Sequence, residues 1–146
     1  MLDFSVEKIQ NTIMKVFLSY RFIGEDPRVL KEIIHEICKS LEKAGHSHFC
    51  SFWKEDFFNE NKFTHQQILE YALKELEGSD VYLAFIKSKD KSEGMLLEAG
   101  YALAKKKKFY LAIQKGIGTT FMRKIADKIV EFETLEELYD KLGKLK

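Results

Sequence analysis

The chain has 146 residues, 45% hydrophobic and 32% charged, which is enough apolar material for the core of a single domain over 1–146. Its 24 Lys+Arg against 23 Asp+Glu leave a formal charge of +1, too balanced for a general nucleic-acid or polyanion binder. No apolar stretch approaches the roughly 20 residues of a membrane span, and Met1 to Glu7 lack the basic start and apolar run of an export signal, so a cytoplasmic protein without membrane partners is expected.

Phe4, Val6, Ile9 and Ile13 give the first residues an apolar pattern that predicts a helical extension over 1–13, or an arm that reaches a partner subunit. Lys15 to Tyr20 reads as a buried strand that breaks into a loop at Arg21, Gly24 and Asp26. Asp26 can cap, and Pro27 can open, a helix whose apolar positions Val29, Leu30, Ile33, Ile34, Ile37, Cys38 and Leu41 recur at helical spacing until Gly45. A second strand is predicted between His46 and Trp53, and Lys54 to Lys62, polar with interspersed aromatics, reads as a long loop. Thr64 and Gln67 have the spacing of a capping box for a helix that runs through Ile68, Leu69, Ala72, Leu73 and Leu76 to Gly78.

Val81 to Ile86 is apolar throughout, as strands covered on both faces are, and Lys87 to Lys91 is a charged loop. The next helix begins near Ser92 and ends in Lys105 to Lys108, whose charge suits a helix C-terminus. Phe109 to Ile113 predicts a fourth strand, Phe121 to Ala126 a short helical turn, Ile129 to Phe132 a fifth strand, and Thr134 the start of a last helix. Strands near 15–20, 47–52, 81–86, 109–113 and 129–132 that alternate with helices require parallel crossovers. The expected architecture is a doubly wound α/β sandwich of three layers around a five-stranded parallel sheet.

The usual order of such a sheet, 2-1-3-4-5, opens a crevice at the carboxyl ends of the first and third strands. It places the loop Ser19-Tyr20-Arg21-Phe22-Ile23-Gly24 beside Lys87 to Ser92 and the helix start at Glu93-Gly94. The free N–H groups of that helix, with Ser88, Ser92, Gly94 and nearby lysines, suit an anion, although Ser92 reads first as a plain N-cap. Glu98 stands one turn after Gly94 on the same face, where the missing side chain at 94 lets a ligand approach its carboxylate. From spacing alone Glu98 reads first as a solvated charge on an amphipathic helix.

The segment Ser92-Glu93-Gly94-Met95-Leu96-Leu97-Glu98-Ala99-Gly100-Tyr101-Ala102-Leu103-Ala104 closely resembles the signature helix of nucleoside 2-deoxyribosyltransferases and deoxynucleoside 5′-monophosphate N-glycosidases. The resemblance extends to Lys15 to Arg21 and to Gly24-Glu25-Asp26, and covers most of residues 15–142. It implies a flavodoxin-like fold, a nucleoside or nucleotide substrate, no cofactor or metal, a homo-oligomer, and Glu98 as the nucleophile that attacks the anomeric carbon. Ser19, Tyr20, Arg21, Gly24, Ser88, Ser92 and Gly94 would then surround the substrate. The family's aspartate on the preceding helix falls here at Ala72. A second resemblance rests on Phe17 to Arg21, Gly24 to Asp26 and Lys43-Ala44-Gly45, which look like the opening of a Toll/interleukin-1 receptor (TIR) domain. That family shares the architecture; some members cleave NAD with a glutamate on the corresponding helix and others only assemble. A non-catalytic nucleotide-binding or self-assembly module is the alternative from another class.

Other features are weaker. Cys38 and Cys50 fit buried free thiols better than a disulfide framework or a zinc spacing. His46 and His48 share a strand face but lack a third metal ligand at a recognisable spacing. Trp53, Phe57 and Phe58 could stack on a base or belong to the core or a subunit interface.

Overall fold

The computed structural model describes residues 13–90, 92–118 and 120–146, so nearly all of the helix expected over 1–13 lies outside the described residues. Five parallel strands form one sheet in the order β2-β1-β3-β4-β5. They are β1 (Lys15–Ser19), β2 (Ser47–Phe49), β3 (Val81–Ile86), β4 (Lys108–Gln114) and β5 (Lys128–Phe132). The helices are α1 (Pro27–Lys43), α2 (Glu55–Glu60), α3 (His65–Glu77), α4 (Glu93–Ala104), α5 (Met122–Ile125) and α6 (Leu135–Leu142). This is the flavodoxin-like doubly wound sandwich expected from the alternation of apolar runs.

Strand alternation divides the interior into two cores. Val16 and Leu18 of β1 and Val81, Leu83 and Phe85 of β3 face α1 and α6, where Ile34, Ile37 and Leu41 of α1 and Leu138 and Leu142 of α6 are wholly buried. Phe17 of β1 and Tyr82, Ala84 and Ile86 of β3 face α3, α4 and α5, against Leu76, Met95, Ala99, Ala102 and Met122. Each fully enclosed Leu, Ile or Phe contributes about 1.5–3 kcal/mol relative to an exposed one. Both faces of β3 are covered, which is why its six residues are all buried and all apolar apart from one phenol.

The caps follow the sequence signals. Asp26 accepts from the Arg28 N–H at 2.9 Å ahead of Pro27, and Thr64 and Gln67 bond reciprocally as a capping box. Gly45 closes the α1–β2 turn at φ +92°, a conformation that favours a residue without Cβ.

Three local expectations are corrected. The second strand is the three residues Ser47–Phe49 at a sheet edge, because the chain turns at Cys50 into a 3₁₀ turn, Ser51–Lys54. Residues 54–62, expected as a loop, carry α2, whose Phe58 is buried against Phe63 and Tyr71 at ring distances of 5.3 Å. The lysine run is divided: α4 ends at Ala104, Lys105 is its C-cap, Lys106 takes φ +57° and Lys108 already belongs to β4.

Candidate active site

β1 pairs with β2 on one side and β3 on the other, so the crossovers on either side of it part at its carboxyl end and leave a cleft there. The cleft encloses about 210 Å³, and Ser19, Tyr20, Phe22, Ile23, Ser51 and Glu98 contribute to its wall with the first turn of α4. Ser19 is the last residue of β1 and lies, by alternation with Phe17, on the α4 face of the sheet. Its hydroxyl donates to Glu98 Oε1 at 2.7 Å. This bond joins the end of β1 to the middle of α4, residues 79 apart in sequence.

Burial among apolar neighbours pushes the Glu98 carboxyl up to about 7, while the Ser19 hydrogen bond pulls the other way by favouring the anion. Glu98 is therefore poised between acid and carboxylate near neutral pH, which is a common mark of a working site and an uncommon one on a solvated helix face. Tyr20 closes one side; its ring meets Phe52 at 5.9 Å, its hydroxyl lies 3.4 Å from Ser51 Oγ, and burial raises its phenol so that it stays a neutral donor.

Ser92 caps α4 by accepting from the Met95 N–H at 3.1 Å, as the plain reading of that serine expects, and also lines the cleft. Gly94 has no packing reason to be glycine: a Cβ there would meet nothing within 4 Å. It lines the same cleft as Glu98.

Arg21, Ser88 and Gly24 fall beside the cleft rather than in it. Arg21 and Ser88 line an adjoining recess that shares Met95 with the cleft. Arg21 Nη1 contacts Glu25 Oε2 at 2.9 Å, and Lys87 Nζ contacts the other oxygen at 2.8 Å, so one carboxylate bridges two cations. Gly24 adopts φ +85°, and a Cβ there would come within 2.7 Å of Arg21 Nη2. The positive φ is what favours glycine in this turn, and the absence of a Cβ leaves room for the end of the Arg21 side chain.

Sequence reasoning missed Phe22, Ile23, Ser51 and Met95 as wall residues. The first two sit in the loop already singled out, and their apolar character at a strand's carboxyl end was the available signal; Ser51 was hidden inside an over-long second strand. Trp53, Phe57 and Phe58 are not among the residues that line the cleft. Ala72 is buried on α3 in the core with Phe17 and Leu76, and presents no polar group.

Both histidines have structural partners. His46 Nδ1 accepts from the Met14 N–H at 3.1 Å, which leaves Nε2 to donate to the Leu145 carbonyl at 2.7 Å. Hydrogen bonds to Cys38 and Glu42 hold His48 up to about 9 against the opposing effect of burial. Both cysteines are buried free thiols. Among the described residues no group of three or more His, Cys, Asp or Glu could hold a metal ion, and no helix is long and apolar enough to cross a membrane.

Comparison with known proteins bears on this geometry. A search of curated protein sequences found no match. Among solved structures, the CMP N-glycosidase BcmB of Clostridium botulinum is similar with a TM-score of 0.66 and 19% identity, over 90% of this chain and 99% of that one. A conserved protein from Enterococcus faecalis V583 follows at 0.61 and 14%, over 91% and 99%. The 2-deoxyribosyltransferase of Bacillus psychrosaccharolyticus gives 0.56 and 18%, over 86% and 90%. At these identities the likeness is one of fold. The sequence profile of nucleoside 2-deoxyribosyltransferases, however, matches residues 19–125, from the serine at the end of β1 through the whole of α4 to α5. With well over half of its length matched, the chain belongs to the nucleoside 2-deoxyribosyltransferase family.

Proposed function

We propose that the protein cleaves or transfers the N-glycosidic bond of a nucleoside or nucleotide, with Glu98 as the nucleophile. The observation that carries this reading is the Ser19–Glu98 pair: a partly buried carboxyl, poised near neutrality and oriented by a serine, facing a cleft open at Gly94. One carboxylate oxygen attacks the anomeric carbon as the C–N bond breaks; the base leaves with the bonding pair and takes up a proton from solvent. Water or a second base then attacks the same carbon, restores the carboxylate, and completes hydrolysis or transfer with two inversions. Nothing at Ala72 can engage the sugar as the family's aspartate would, so Tyr20, Ser51 and Ser92 are left to hold it.

The test is base release, followed by chromatography, from deoxynucleosides, ribonucleosides, their 5′-monophosphates and NAD. Release from nucleosides or monophosphates supports the reading; release from NAD alone supports the TIR-like one, and no release from any of them a binding module. Arg21 adds a finer expectation. The Arg21–Glu25–Lys87 trio carries one positive charge in excess beside the cleft, so a substrate phosphate can take the guanidinium while Lys87 keeps Glu25. Arg21→Ala should raise KM for a 5′-monophosphate roughly tenfold or more and leave the free nucleoside nearly unaffected. Equal losses on both would make Arg21 structural.

The active unit in this reading is a homodimer. α4 is apolar on its outer face as well as its inner one, with Leu96, Leu97 and Leu103 exposed by 51%, 57% and 45%. An antiparallel pairing of two copies centred beside Gly100 sets Leu96 of one copy against Leu103 of the other. Light scattering should give twice the 17.1 kDa chain mass. Leu96→Glu and Leu103→Glu should each shift the protein toward monomer. A monomer at every concentration would remove it.

A further inference from the structure

We propose that a groove at the amino ends of β4 and β5 binds a small oligophosphate, free or as the tail of a nucleotide, away from the cleft. The fold divides the lysine run that follows α4 but turns three of its members to one place: Lys106, Lys107 and Lys108 line this groove, and Lys128, the first residue of β5, joins them. The groove encloses about 540 Å³, with Tyr110 and Ile125 as apolar lining and Asp127 as its one carboxylate. Because β1, β3, β4 and β5 are parallel, it lies at the opposite end of the sheet from the cleft that holds Glu98. A ligand here does not compete for that cleft. Leu103, which also lines the groove, belongs to the α4 face assigned above to the dimer and takes no part in holding an anion.

Two of the four ammonium groups are held in place without being neutralised. Lys107 Nζ donates to the Glu77 carbonyl at 2.6 Å, and Lys128 Nζ donates to the Lys146 main-chain oxygen at 3.0 Å while lying 5.2 Å from the centre of the Tyr110 ring. Lys106 and Lys108 are exposed, and among the described residues none of the four lysines pairs with a side-chain carboxylate. The carboxylates beside them are engaged: Asp127 Oδ2 accepts from the Phe109 N–H at 2.8 Å, and Glu77 Oε2 from the Tyr101 hydroxyl at 2.7 Å. Lys106 adds a second observation. It takes φ +57° just past the C-cap of α4, where glycine is unstrained and lysine is not, so the backbone gives no reason for a cation there. Four ammonium groups against one carboxylate repel one another within a single groove, and an anion with several charges close together removes that repulsion. An oligophosphate has this character. A nucleic acid needs a long basic track, which a chain of 24 Lys+Arg against 23 Asp+Glu does not favour.

This site does not depend on the role of Glu98, and its test reads binding alone. In low salt the whole ¹⁵N-labelled protein should show saturable amide shifts over residues 106–110 and 127–128 with tripolyphosphate, and binding of inorganic phosphate should be weaker by roughly tenfold or more. Adenosine triphosphate distinguishes the two sources: tighter binding than tripolyphosphate, with added shifts at Ile125, marks a nucleotide, and equal binding marks a bare oligophosphate. Lys108→Gln and Lys106→Gly should each weaken tripolyphosphate binding roughly three- to tenfold. Lys106→Gly should do so without lowering the melting temperature, because glycine suits that φ, and this separates a lost ligand contact from a damaged fold. The inference is overturned if the shifts never saturate, if they gather at the cleft instead of the groove, or if both variants bind as the wild type does. A DNA duplex that occupies the same amides more tightly than tripolyphosphate would overturn the ligand class.

Discussion

If Glu98 is the nucleophile proposed above, Glu98→Gln is expected to lower turnover by roughly 10⁴-fold while leaving ground-state ligand binding intact, because the amide keeps the shape and loses the anionic charge. The same substitution is expected to stabilise the fold at alkaline pH. In the folded chain the carboxyl titrates at about 7, against 4.5 when unperturbed, so between these values the folded state holds a proton that the unfolded state has released. Stability therefore falls as pH rises through this window. The penalty is absent below about 4.5 and complete above about 7, where 2.5 units correspond to at most about 3 kcal/mol. Urea unfolding at pH 4, 6 and 8 should show the variant level with the wild type at pH 4 and increasingly ahead of it thereafter. A constant gap at all three values would mean that Glu98 is not held protonated by the fold. Base release equal to the wild type would sink its role in the chemistry. In the proposed mechanism only the ionised form attacks, so the wild-type kcat/KM should rise with pH along a limb centred near 7.

Phe17→Ala is expected to cost about 3–5 kcal/mol and to lower the melting temperature by roughly 10 °C in calorimetry. Phe17 is 1% exposed and stacks between Phe49 at 5.5 Å and Tyr82 at 6.1 Å, so its removal opens a cavity that spans three strands. It also lies two residues before Ser19 on the same face, beneath the Ser19–Glu98 pair. If the variant lost stability without any loss of kcat, the core and the site would be energetically separate.

What the amino-acid pattern revealed, and what it hid, follows from the range of the forces involved. The crossover strands are legible because Val81 to Ile86 and Phe109 to Ile113 must be apolar on both faces, a demand that no loop meets. The edge strand was overdrawn because Phe49, Cys50, Phe52 and Trp53 look alike in sequence whether they pair with β1 or turn away from it. α2 was missed since its six residues are too few to show a helical period. At the site, Glu98 and Gly94 share a face that spacing predicts. Its partner Ser19 could be placed near it by topology, yet the 2.7 Å bond could not, because it depends on how α4 seats on the sheet. Arg21 was expected in the crevice; its attachment to Glu25 and Lys87 is a contest between nearby charges that strand order does not decide.

The alternation of β1 has a further consequence for how this chain can change. Phe17 and Ser19 point to one side, Val16 and Leu18 to the other, and only the side holding Ser19 meets Glu98. Loss or gain of one residue within this five-residue strand would swing the serine to the opposite layer, into the grease around α1, even with every side chain retained. The length of β1 is thus guarded more strictly than its composition. Change that spares the Ser19–Glu98 contact is easier at the exposed Phe22 and Ile23 of the following loop than within the five residues of β1.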